Sequence, residues 1–317
     1  MTAKRPMFPH AWDSTMLAAF RSCPQKMFRT YVEHWKPKAE SVHLVAGGAF
    51  AKGIEVARRA FYEEGADRYQ AEIQGIQALA AAYGDFQCPP ESAKSLERTM
   101  GALEFYFSQY PLGDDGLTPV SFSNGKAAIE FGFAEPLPIV THPITGDPIL
   151  YTGRCDMIGT FHGGVYCVDE KTASSLGATW SRQWEMRAQF TGYQWAAQRA
   201  GVNVQGTLVR GVSILKTKYD TQQAVTYRSP HEVARWLTQT QRDILRAQQM
   251  WKEGYWDFAL DHACAEYGGC NMVSICKSAD PETWLPMSFE RRVWDPLARK
   301  EMTVEEWEAS WGHDGQH

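Results

Sequence analysis

The chain has 317 residues, 44% hydrophobic and 13% aromatic, enough apolar material for a sizeable core in one large domain or two small ones. No apolar run approaches the roughly 20 residues that cross a bilayer, and none follows Lys4 and Arg5, so a helical membrane protein is excluded and a soluble cytoplasmic chain without a signal peptide is expected. The formal charge of −5 excludes little, because contacts to phosphate depend on where Lys and Arg cluster rather than on their sum.

Residues 14–35 carry apolar side chains at helical spacing (Met16, Leu17, Phe20, then Met27, Phe28, Tyr31, Val32), with Asp13 or Ser14 as cap and Pro24 as a break or first helical turn. Residues 47–64 read as a second helix through Phe50, Ile54, Val56 and Phe61, and 72–83 and 92–110 as two more. Pro, Gly and Asp break the chain over 111–119. The period then changes. Residues 126–134 alternate like a strand, and 149–161 and 165–172 are strand-like runs around His162-Gly163-Gly164, a hairpin signal. A long helix is expected over 179–200, a strand over 206–215 and a helix over 231–252. There is no internal repeat. The order of elements predicts a mixed α/β domain with an N-terminal helical portion.

The hairpin carries the candidate chemistry. Its first strand holds Gly153-Arg154-Cys155-Asp156 and its second Val168-Asp169-Glu170-Lys171. Side chains alternate along a strand, so Asp169 and Lys171 share one face and Glu170 points to the other. Strand pairing can bring Asp156 beside Asp169. Two carboxylates at one spot repel unless a divalent cation sits between them, and hard oxygen ligands suit Mg²⁺ or Mn²⁺. Such a cation polarises a phosphate and lowers the pKa of a water, while Lys171 can position or deprotonate that water and stabilise the pentavalent transition state. An acidic residue two before a lysine is common on strands, so the weight rests on the combination of motifs.

That combination resembles the PD-(D/E)XK nuclease superfamily, in particular its RecB-type branch. Asp156 after Gly153 matches the first metal-binding aspartate, and Asp169-Glu170-Lys171 matches the (D/E)XK element. Gln189-Phe190-Thr191-Gly192-Tyr193 matches the QxxxY signature on the following helix, where positions four apart share a face. Upstream, Gly48-Ala49-Phe50-Ala51-Lys52-Gly53-Ile54-Glu55 resembles the first helical motif. Ala51 stands where the family's exonucleases usually carry a histidine. The resemblance implies a restriction-endonuclease-like core, a mixed central sheet flanked by helices. It further implies metal ligation by Glu55, Asp156, Asp169 and the backbone carbonyl of Glu170, with Lys171, Gln189 and Tyr193 completing the catalytic group.

Seven cysteines, an odd count with no secretion signal, do not read as a disulfide framework. Cys264, Cys270 and Cys276 crowd into one segment and suggest a metal or cluster site, with Cys23 far away in sequence. A subset of RecB-type nucleases closes one N-terminal and three C-terminal cysteines on a [4Fe–4S] cluster, and this chain resembles that arrangement, including the Cys23-Pro24 pair. The rival is Zn²⁺ held by the same three cysteines with Cys23 or His262. Cys88, Cys155 and Cys167 are expected as buried small hydrophobes.

The expectation is one nuclease domain over residues 1–317: an N-terminal arm (14–45), a nuclease core (46–255), a cluster-binding segment (256–280) and an acidic, Trp-rich tail (281–317) of unassigned role. Its partner would be DNA, with no membrane. The resemblance implies an exonuclease on single strands or duplex ends, and a chain of this size lacking a GxxxxGK(S/T) helicase motif suits recombination, repair or phage DNA processing, with a strand-annealing or other recombination protein as a further partner. A structure- or site-directed endonuclease and a non-catalytic DNA-binding protein are the alternatives. Trp180, Trp184 and Trp195 could stack on bases or pack in the core, and Arg210, Lys216 and Lys218 could touch phosphates or form a solvated strand edge.

Overall fold

The computed structural model of the protein describes residues 6–122, 124–260, 262–265 and 269–311. A short strand β1 (Ala11–Trp12) leads into α1 (Ser14–Ser22), whose cap Asp13 accepts the Thr15 and Met16 N–H groups at 2.8 Å each. The helix expected over 14–35 breaks at Cys23, which is extended because a proline follows it. Pro24 opens α2 (Pro24–Met27), and a π turn over Phe28–Val32 and strand β2 (Trp35–Pro37) follow. Next come α3 (Val42–Tyr62), α4 (Arg68–Tyr83) and α5 (Leu96–Gln109), close to the three helices expected there.

Strands β3 (Leu117–Pro119), β4 (Ile129–Thr141), β5 (Pro148–Phe161) and β6 (Gly164–Ala173) form the meander. β4 runs past the expected 126–134, through Pro136 and Pro138, because it pairs with β5 alone and an edge strand tolerates a missing donor. His162 (φ 47°) and Gly163 (φ 80°) supply the two left-handed positions of the tight β5–β6 turn. The helix expected over 179–200 is shorter. A 3₁₀ turn, Arg182–Trp184, precedes α6 (Ala188–Arg199). Then come β7 (Gly206–Ile214), β8 (Tyr219–Tyr227), α7 (Pro230–Glu253), α8 (His262–Ala265) and α9 (Val273–Lys277). The tail contains α10 (Pro281–Ser288), β9 (Phe289–Arg291), β10 (Val293–Asp295), β11 (Lys300–Met302) and α11 (Val304–Trp311).

The chain divides into two compact units: one of Met1–Ala39, Phe133–Gly153 and Arg235–His317, the other of Glu40–Gly132 and Arg154–Ala234. The second unit holds a mixed sheet in the order β5-β6-β7-β8, with β6 and β7 parallel and the other neighbours antiparallel. On one face, α3, α4 and α5 pack through Ala46, Phe50, Ile54, Leu79 and Leu103 onto Val212 and Ile214 of β7. α3 and α4 approach through Gly53 and Gly75, where a Cβ on either would meet the other's carbonyl oxygen at 2.9 or 2.6 Å. On the other face, α6 packs on β6 and β7, and Trp180 fills the space above Gly211. β7 is therefore buried along its whole length.

In the first unit, β1 lies parallel to the start of β5, with Ala11 opposite Leu150. Trp35, Met272, Ile275, Leu285 and Phe289 form a core beside the antiparallel β2–β9 pair. The tail is thus built into this unit: Trp294 donates to Asp13 at 2.6 Å and Arg29 to Glu282 at 2.8 Å. Among the described residues, no helix is long and apolar enough to cross a membrane.

Candidate functional site

β6 is covered on both faces, so its alternation sorts the motif residues. Glu170 enters the interior beneath α3 and α5, where Arg58 grips both its carboxylate oxygens and the Tyr106 hydroxyl donates at 3.1 Å. Asp169 and Lys171 lie on the opposite face, their charged atoms 2.5 Å apart. The regular β5–β6 ladder stops at Met157 opposite Val168. Beyond it, the Glu170 N–H donates at 2.8 Å to the carboxylate of Asp156, not to a backbone carbonyl. The expected juxtaposition of Asp156, Asp169 and Lys171 is present.

The electrostatics are those of a crowded acidic site. Burial, then the charges of Asp169 and Glu170, push Asp156 well above the ordinary carboxylate range. Burial also raises Asp169, against the pull of Lys171. Burial alone would lower Lys171, but Asp169 and Asp156 outweigh it and hold the ammonium protonated. Asp169 Oδ2 is completely buried, and the contact it makes is the ion pair with Lys171 Nζ. A carboxylate pair in which Asp169 raises the pKa of Asp156, beside one lysine, fits a divalent cation that brings its own waters, as Mg²⁺ does when one or two carboxylates bind it. Among the described residues, no three acidic, His or Cys side chains form a ready-made metal cage. The fit is that of a two-carboxylate site.

The other expected residues are placed as follows. Glu55, on α3, is held by Lys52 at 2.9 Å and Arg59 at 3.2 Å, and these cations outweigh burial to keep its carboxylate acidic. Gln189 donates at 2.8 Å to the Tyr193 hydroxyl, so the two share one face of α6. Trp180, Trp184 and Trp195 are buried, which assigns them to the core. Arg210 is neither a phosphate contact nor a solvated edge: it is 1% exposed and paired with Asp115. Cys155 and Cys167 are buried as expected, whereas Cys88 is only half-buried.

Two groups escaped sequence reasoning. Glu130 lies on β4 at φ 55°, a left-handed position unusual for a non-glycine residue, and pairs with Arg154 at 2.5 Å. Burial pushes it up to about 7, with Arg154 opposing and Glu55 and Glu170 adding to the shift. Arg187, immediately before α6, is exposed, and its charge acts on both Asp169 and Lys171. Its carbonyl accepts the Phe190 and Thr191 N–H groups, which fixes its backbone at the start of the helix. Neither residue belongs to a motif.

In the other unit, Cys23, Cys264, Cys270 and Cys276 line one cavity of about 320 Å³. None is in a disulfide. The break before Pro24 presents Cys23, and the Cys270 N–H donates to the Cys264 carbonyl at 3.0 Å. Burial, then the other three cysteines, push the Cys276 thiol up. The four thiols share this cavity without closing into a ready-made cage, and His262 is not among the lining residues.

A family model described as PD-(D/E)XK nuclease superfamily matches residues 14–277. No curated protein matches the chain. Among solved structures it is similar to an Eubacterium rectale protein described as a "Putative exonuclease", with TM-score 0.45 and 13% identity over 80% of this chain and 87% of that one. It is also similar to a protein named SSO0001, with TM-score 0.27 and 13% identity over 63% of this chain and 75% of that one. Neither likeness is close enough to bear on function.

Proposed function

Since the chain belongs to the PD-(D/E)XK nuclease superfamily, we propose that it hydrolyses DNA phosphodiester bonds with Mg²⁺ or Mn²⁺, as an exonuclease acting on single strands or duplex ends. The observation that carries this reading is the pairing of half-buried Asp156 and buried Asp169 with Lys171 on the same face of the sheet.

Asp156, Asp169 and the Glu170 carbonyl would hold the cation, with Glu55 at the edge of the same group. In an extended residue the C=O points to the same strand edge as the N–H, so the Glu170 carbonyl faces the gap that its N–H shares with Asp156. When bound, the divalent cation neutralises charge at the phosphate and makes the attacking water more acidic. The chain's own residues do the rest. Lys171 keeps its proton on Nζ beside Asp169 and offers a fixed positive charge to the transition state. Gln189 and Tyr193, tied to each other on α6, give donors that orient the strand. Arg187 adds an exposed cation for a neighbouring phosphate.

Cys23, Cys264, Cys270 and Cys276 would bind a [4Fe–4S] cluster with a structural role, since hydrolysis needs no electron. That all four line one cavity supports a common ligand for them, and thiolate sets of this kind hold either such a cluster or the rival zinc.

Digestion of end-labelled linear DNA and covalently closed circles, with Mg²⁺, Mn²⁺ or EDTA, tests the reading. Nucleotides should be released from linear DNA only with metal, and circles should survive. Cut circles would establish the endonuclease alternative.

A further inference from the structure

The charged pair beneath β6 has no evident use for stability. Arg58 and Glu170 have side chains only 4% and 2% exposed, deep between α3, α5 and the sheet. Burying two charges costs more than their attraction commonly returns, and apolar residues of similar volume often serve as well or better. Val168 on that face is 0% exposed and lies opposite Leu208, whereas the β7 residue opposite Glu170 is Arg210, itself buried and already paired with Asp115. What the pair provides and apolar contact does not is direction. A guanidinium fork on a carboxylate fixes both groups in distance and angle.

Glu170 is the residue whose placement matters most to the site. It stands between Asp169 and Lys171, and its N–H holds Asp156 at 2.8 Å just where the β5–β6 ladder has ended. Its side chain is held from three directions. Arg58 Nη1 donates to Oε2 at 3.1 Å, Nη2 donates to Oε1, and the Tyr106 hydroxyl donates to Oε1 at 3.1 Å. The charge of Arg210 also favours its ionised form. Arg210 is in turn stacked 4.2 Å over Tyr110 and paired with Asp115. Arg58 therefore links helix α3 to the backbone of the motif strand through one short, fully bonded connection.

We propose that Arg58 is a positioning residue: its fork on Glu170 fixes the β6 backbone that aims Asp156 and presents Asp169 and Lys171. The inference rests on the reading of those three residues as the cation-binding and catalytic group. Groups that orient metal ligands without touching the metal cost about 10- to 100-fold in affinity or activity when removed.

The test replaces the pair by apolar residues, Arg58→Met with Glu170→Leu, which keeps the Glu170 backbone groups and leaves no unpaired buried charge. Melting temperature, Mn²⁺ affinity by calorimetry without DNA, and kcat and KM on single-stranded DNA are measured. The double variant should fold, the relieved charge burial offsetting the Tyr106 hydroxyl left without its acceptor, yet bind Mn²⁺ about 10-fold or more weakly and lose kcat while KM changes little. Arg58→Lys, which keeps the charge but not the fork, should also weaken Mn²⁺ binding and gives the same readout should the double variant fail to fold. Wild-type Mn²⁺ affinity and kcat in a folded variant would overturn the proposal and leave the pair merely structural. Failure of the underlying reading looks different: wild type itself would show no Mn²⁺ binding sensitive to Asp156→Ala, which would overturn both.

Discussion

At the scale of single residues, the two charges outside the motifs carry the sharpest expectations. Arg187 is exposed, acts electrostatically on Asp169 and Lys171, and has its backbone fixed at the start of α6. If it contacts a phosphate, Arg187→Ala should weaken single-strand binding in EDTA. It should also reduce the slope of log affinity against log salt by about 1. An unchanged slope would remove it from the interface. Glu130 bears on stability. Burial pushes its folded value up to about 7, whereas the unfolded chain releases that proton near about 4.3. Between those values the folded protein holds more protons, so stability falls as pH rises and the whole penalty is present above the folded value. Glu130→Gln in metal-free protein should therefore raise the melting temperature more at pH 8 than at pH 5. Equal shifts at both would contradict the buried, proton-binding carboxylate.

At the scale of elements, the site depends on how closely α3 can lie against its neighbours. A Cβ on Gly53 would meet Leu103 Cδ2 at 2.6 Å and the Gly75 carbonyl at 2.9 Å. Gly53→Ala should cost about 1–3 kcal/mol, read as a fall in denaturant midpoint at constant slope. An unchanged midpoint would mean that α3 shifts freely. The strands nearest the site were legible: 149–161 and 165–172 coincide almost residue for residue with Pro148–Phe161 and Gly164–Ala173, since buried β-branched runs flank a two-residue turn. The break at Cys23 was signalled only by Pro24, and β8 was missed because Asp220, Gln222 and Gln223 blur its alternation on an edge strand paired with β7 alone. The motif residues could be read because Asp156, Asp169 and Lys171 lie close in sequence across one hairpin. Arg58, Glu130 and Arg187 come from three other elements, and only folding brings them to it. One signal was available: Glu170 alternates with Val168 toward a buried face and so required a partner.

At the scale of the whole chain, the four clustered thiols come from the first and last sequence segments of their unit, so one bound group would close a very long loop. Closing such a loop removes entropy from the unfolded chain, and its loss should show as lower stability. Protein purified without oxygen should be brown and hold about four iron atoms per chain. Any Cys→Ala change among Cys23, Cys264, Cys270 and Cys276 should lose iron and lower the melting temperature. Colourless protein with one zinc would establish the rival site.

The central claim, that Asp156 and Asp169 with Lys171 hydrolyse DNA, has a direct measurement. Wild type, Asp156→Ala, Asp169→Ala and Lys171→Ala are incubated with end-labelled single-stranded DNA in Mn²⁺, and binding of the same DNA is measured in EDTA. Cleavage by wild type alone, lost by orders of magnitude in each variant while binding and folding persist, is the predicted result. Full activity in purified, contaminant-free Asp156→Ala protein would contradict the account.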